Sequence, residues 1–114
     1  MVENNLKNGG VKNDLGKARW DLLPMECLKE VVDIYTQGAI EYDEKYGEEN
    51  WKSVHNAKSR YYAALLRHYS SWRIWYETGG KKGEQIDKKS GKNHLAHVIW
   101  NAIALLWFDL RGDK

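Results

Sequence analysis

"HLAHVIWNAIALLWFDL", residues 94–110, decides the fold. It is the most apolar stretch of the chain and contains neither proline nor glycine. Its apolar residues run almost all the way round a helical projection. That pattern predicts a helix at the centre of the domain or at a subunit interface. Three polar residues interrupt it: His94, His97 and Asn101. Steps of three and four put them in one narrow stripe. A buried imidazole or carboxamide must find hydrogen-bond partners. The stripe is therefore either a polar seam that fixes helix register or the wall of a wet pocket, and we expect the pocket, one that accepts anions.

Working towards the N-terminus, "GGKKGEQIDKKSGKN" (79–93) holds four glycines and five lysines and reads as a loop, with Asn93 or Ser90 capping the helix that follows. A glycine- and lysine-rich loop entering a helix N-terminus can cradle phosphate, although a solvated loop explains the same composition and no Walker sequence is present. Before it, residues 56–78 predict a second helix. Leu65, His68, Trp72 and Trp75 share one side, and Tyr62, Leu66, Tyr69 and Ile74 widen the apolar face. Arg60 and Arg67 lie seven residues apart and nearly in line; such guanidinium groups call for carboxylate or phosphate partners. "YGEENW" (46–51) reads as a turn. Residues 24–45 predict the first helix, opened by Pro24, with Leu28, Val31, Val32, Tyr35, Ala39 and Tyr42 at helical spacing. Glu26, Glu30, Asp33, Gln37, Glu41 and Glu44 occupy the opposite side. The pairs Glu30/Asp33 and Glu41/Glu44 have spacing suited to a shared divalent ion, or simply form a solvated face. Gly38 implies close packing or a bend. Residues 1–23 read as a loop or mobile arm.

The expected fold is therefore all-α: three main helices, about 24–45, 56–78 and 94–110, in a single helical domain spanning 24–114. So many apolar faces on three helices imply a bundle completed by a dimer or tetramer of the same chain.

Bulk composition narrows the function. The chain has 114 residues and a net charge of +2, which disfavours polymeric nucleic acid as a partner. Cys27, the single cysteine, leaves no internal disulfide and fits a reducing cytoplasm. No apolar run is long enough to suggest a membrane partner. Six Trp and seven Tyr stand beside one Phe, and rings with polar tips suit interfaces and pockets for flat ligands.

Four stretches occur in order: "DLGKARWDLLP" (14–24), "GAIEY" (38–42) with "NW" (50–51), "RYYAALLRH" (60–68) and "GEQIDKKSGKNHLAHVIWNA" (83–102). Together they resemble a family of small phage-type domains, the dATP/dGTP diphosphohydrolases or their N-terminal domain. The resemblance covers roughly residues 12–110. It implies an all-α domain handling a purine nucleotide in the cytoplasm of a phage-infected bacterium, with Mg²⁺ or Mn²⁺ if it is catalytic. The positions it singles out are Lys17, Arg19, Asn50, Trp51, Arg60, Arg67, His68, Glu84, Asp87, His94, His97 and Asn101. The reading that follows makes His94, His97 and Asn101 catalytic and Glu84 and Asp87 metal ligands. Lys17, Arg19, Asn50, Trp51, Arg60, Arg67 and His68 would hold the ligand. A Trp such as Trp20, Trp51 or Trp72 would stack on the base. Where the wider MazG-like pyrophosphatases carry carboxylates on successive helices, this chain carries "RYYAALLRH" and "HLAHVIWN", which suit phosphate better than Mg²⁺. Two other functions fit the same residues: a nucleotide sponge without turnover, and an oligomeric interaction module.

Overall fold

The computed structural model describes residues 9–112, and within them the backbone alone for 42–46. The first eight residues of the expected arm, Tyr42 and the Glu44 half of the Glu41/Glu44 pair lie outside the described residues or side chains. Three helices carry the fold: α1 (Met25–Tyr46), α2 (Ala57–Glu77) and α3 (His94–Leu110). Among the described residues there are no strands, only an isolated bridge between Ile86 and Asn93. The fold is all-α, and the helices begin and end within about a residue of the expected bounds. Two short 3-10 turns, Trp20–Leu22 and Asn50–Ser53, replace stretches expected to be irregular.

The helix boundaries follow from local chemistry. The Pro24 carbonyl accepts from the Cys27 and Leu28 amides and so opens α1. Asn56 precedes α2 in the left-handed region (φ 54°, ψ 40°), a conformation asparagine tolerates better than most residues. Asn93 caps α3, its side chain accepting from the Leu95 amide at 2.8 Å. Ser90, the other candidate cap, is committed elsewhere.

α3 is the central helix. α2 packs along it most closely, α1 packs on it from another side, and α1 and α2 scarcely touch each other. The α3 residues His94, Ala96, Asn101, Ala104 and Phe108 are buried. His94, Asn101, Ala104 and Phe108, with half-buried His97, form a stripe at steps of three and four. The polar row that breaks the apolar sequence thus lies inside the packed face. Val31 of α1 and Ala57 of α2 complete a thin apolar core. On the other side of α3, Ile99, Ile103, Leu106 and Leu110 are 37–76% exposed, with no cover among the described residues.

Candidate functional site: an aromatic cleft and a histidine cluster

Because α1 and α2 both lean on α3 without meeting, a cleft opens between them. Small residues keep it open. Gly38 and Ala39 face it from α1, and Ala63 and Ala64 from α2. A methyl group added at Gly38 would meet nothing within 4 Å. The expectation that Gly38 permits close packing is corrected: this glycine leaves space. The cleft has a volume of about 720 Å³.

Aromatic rings form its floor. Trp51, carried by the 3-10 turn, wedges among Tyr35 of α1 (centroids 5.7 Å), Trp100 of α3 (6.2 Å) and Trp107 of α3 (5.4 Å). Tyr35 and Tyr61 each lie close to Trp100, at 5.1 and 5.3 Å. The Tyr61 hydroxyl donates to the Trp51 carbonyl and pins the turn to α2. Burial pushes the Tyr61 phenol up to about 12, despite Arg60 nearby, so it stays a donor at any ordinary pH. Burial raises the Tyr35 phenol as well. The Tyr35 hydroxyl and the Trp100 indole N–H are enclosed without a hydrogen-bond partner among the described residues.

Cations line the α2 side. Arg60 and Arg67 are exposed there, two turns apart, and His55 and Asn50 join them from the connecting segment. Arg60 makes one long contact, to the His55 carbonyl at 3.4 Å. Among the described residues neither arginine forms a salt bridge. Glu48 is the carboxylate among the described lining side chains.

A second polar assembly lies where α2, α3 and the 79–93 loop meet. His68 Nδ1 and His94 Nδ1 are 2.8 Å apart, and the His68 and His97 rings stack at 4.3 Å. His97 Nε2 is 2.7 Å from Ser90 Oγ and 3.5 Å from Asp87 Oδ2. Ser90 donates to that same carboxylate oxygen from both its amide and its hydroxyl. Burial drives the His68 imidazole down to about 4, helped by its His97 and His94 neighbours. Burial lowers His97 too, against the pull of Asp87. Burial works to raise Asp87, but the two Ser90 hydrogen bonds and the nearby imidazoles outweigh it and hold the carboxyl low. Asn101 donates to the His97 carbonyl at 2.8 Å and is only 4% exposed. These groups are bonded to protein atoms, and His94, His97 and Asn101 do not line the cleft.

The remaining sequence candidates separate. Asn50, Trp51, Arg60 and Arg67 come together at the cleft; His68 and Asp87 join the imidazole cluster. Glu84 sits 3.9 Å from Lys88, which is largely exposed. Arg19 forms a local bidentate pair with Asp21, and Lys17 belongs to a turn whose amide donates to the Asp14 carbonyl. Neither lines the cleft. Trp20 is exposed, and Trp72 stacks on Tyr76 away from the lining residues. The Glu30/Asp33 pair is taken up by Lys92, which reaches both carboxylates from the loop. His55 and Glu48 escaped the sequence reading; the small-residue pairs Gly38–Ala39 and Ala63–Ala64, facing each other across two helices, were the signal for the cleft.

Residues 7–114 of the chain match the family model described as dATP/dGTP diphosphohydrolase, N-terminal. The chain belongs to this family. No curated protein and no solved structure matches it. For this diphosphohydrolase-family domain, no helix among the described residues is long and apolar enough to cross a membrane.

Proposed function

We propose that the cleft binds a purine nucleoside phosphate, with dATP and dGTP, the nucleotides in the family's description, as the first candidates. The observation that carries the reading is the pair Arg60 and Arg67. Two guanidinium groups without a carboxylate partner among the described residues flank an aromatic-floored cleft. A base stacks on rings such as Trp51 because every base has a π-face. Guanidinium forks match phosphate oxygens and bind them with charge-assisted hydrogen bonds. The volume falls within the range of about 300–1,000 Å³ typical of small-ligand sites.

The family's name supplies the reaction to look for: water adds at the α-phosphorus, the bond to the β-phosphate oxygen breaks, and nucleoside monophosphate and pyrophosphate leave. Mg²⁺ or Mn²⁺ belongs to that chemistry. Mg²⁺ favours octahedral oxygen ligands. At the cleft, the described side chains offer Glu48, while Glu30 and Asp33 are held by Lys92. This set does not fit such a cage. The same mismatch favours a second reading, in which the domain holds its nucleotide without cleaving it. Either activity belongs with the nucleotide pool of a phage-infected bacterial cytoplasm. The bare stripe on α3 suits a homo-oligomer.

A thermal-shift panel with dATP, dGTP, dCTP and dTTP, with and without Mn²⁺, tests the reading, followed by chromatography of each ligand. Purine triphosphates should raise the melting temperature in proportion to the logarithm of their excess over the dissociation constant. Recovery as monophosphate and pyrophosphate supports hydrolysis; intact recovery supports sequestration. No shift with any of the four overturns the nucleotide reading.

A further inference from the structure

We propose that His68, His94 and Asp87 form a binding site for one divalent transition-metal ion of the zinc and manganese class, separate from the cleft. Two helices and the loop between them each contribute one ligand atom, and these atoms lie within 4.8 Å of one another. His68 comes from α2, His94 from the first turn of α3 and Asp87 from the loop between them.

The carboxylate is already aimed. Ser90 donates its amide and hydroxyl to Oδ2, at 2.9 and 2.7 Å, and no described residue donates to Oδ1. The backbone around it is fixed as well. The Asp87 amide donates to the Lys92 carbonyl, the Gly91 amide to the Asp87 carbonyl and the His94 amide to the Gln85 carbonyl, each at 2.8 Å. His97, stacked on His68 and bonded to Ser90, acts as the outer support that orients a ligand shell.

The two Nδ1 atoms face each other at 2.8 Å, so one ring donates and the other accepts. An ion between them replaces this single hydrogen bond. Two nitrogens on a tetrahedral ion at about 2.0–2.1 Å stand roughly 3.3 Å apart, so the rings must part by about half an ångström. The donating ring moves its proton to Nε2, and both Nδ1 lone pairs then point at the ion. Two imidazoles and one carboxylate select zinc, manganese, cobalt or nickel over Mg²⁺ and Ca²⁺, which want oxygen. Asp87, 21% exposed along its side chain, leaves a route in.

Chelator-treated full-length chain is titrated with Co²⁺ while its visible ligand-field absorption is followed, then with Zn²⁺. One equivalent of Co²⁺ should produce the bands of four- or five-coordinate cobalt, and Zn²⁺ should bleach them; Mg²⁺ should do neither. Asp87→Asn and His68→Gln should each weaken Co²⁺ binding about tenfold or more. If either variant does not fold, the wild-type imidazole ¹⁵N spectrum decides. Zn²⁺ should move the Nδ1 resonances of His68 and His94 and leave exposed His55 in place. Absence of cobalt bands at about tenfold excess, unchanged affinity in folded variants, or a response confined to His55 overturns the proposal. None of these results alters what the chain does with dGTP, so the nucleotide reading stands or falls separately.

Discussion

Arg60 and Arg67 sit on the wall of a cleft that their own helix helps to build, and they make no salt bridge with any described residue. Arg67→Gln should cut affinity for a purine triphosphate about tenfold to a hundredfold, because a charge-assisted phosphate contact is lost. The same change should leave stability within about 0.5 kcal/mol, as expected for an exposed side chain. Calorimetric titration and chemical denaturation measure the two effects. Gly38 offers the converse test. With open space beside it, Gly38→Ala should stabilise α1 by about 0.5–1 kcal/mol. Gly38→Leu should keep the fold and fill the cleft, abolishing binding. At this scale the sequence was partly legible. An arginine pair seven apart on an apolar helix can be read directly, because a helix repeats its face over that distance. The polar row of α3 could not be assigned so simply. Periodicity puts His94, His97 and Asn101 on one face, but only the packing of α2 and the loop decides that their partners are Ser90, His68 and backbone and not solvent.

The connection between α2 and α3 shows the same division among larger pieces. Its glycines and lysines mark a loop, yet they do not tell that it is tied down. Gly83 lies at φ 71° so close to α2 that an added methyl would stand 2.6 Å from the Ser71 carbonyl and 2.6 Å from the Trp75 amide. Backbone atoms cannot step aside cheaply, so Gly83→Ala should destabilise the domain by about 2 kcal/mol or more, read by denaturant unfolding. Lys92 fastens the far end of the loop to α1 through Glu30 and Asp33. Hydrogen bonds from Lys92 and then Lys29 hold the Asp33 carboxyl below its usual range. A depressed carboxyl contributes stability above its unfolded pKa and loses it as pH falls through the folded value. Lys92→Met should therefore lower the melting temperature by a constant amount above about pH 5, and that gap should shrink as the pH drops below about 4. A pH-independent gap would mean that Lys92 acts by packing alone. The helices themselves were legible to within about a residue, because Pro24, Asn56, Gly79 and Asn93 punctuate three long periodic segments.

At the level of the whole molecule, one central helix carries two others that lean apart. α3 buries one stripe against them and leaves Ile99, Ile103, Leu106 and Leu110 uncovered. Apolar residues at steps of four, three and four are what a helix presents to a second helix. The chain should therefore run as a dimer or tetramer in light scattering coupled to gel filtration. Ile103→Asp together with Leu106→Asp should shift it towards monomer, whereas a wild-type monomer would contradict that assignment. The composition raises the same expectation, which the light-scattering measurement tests. What the composition did not supply was the cleft, which arises from small residues on two helices that come to face one another only when both are packed on α3. The account rests on that cleft being the nucleotide site, and of the six indole N–H groups of the chain, those of Trp51 and Trp100 belong to residues that line it. An uncleavable dGTP analogue should be titrated into ¹⁵N-labelled protein. The account predicts that Trp51 and Trp100 resonances shift in a saturable way while Trp20, Trp72 and Trp75 stay still. Shifts gathered at Trp72 and Trp75, beside the lysine loop, with Trp51 and Trp100 unmoved, would contradict it.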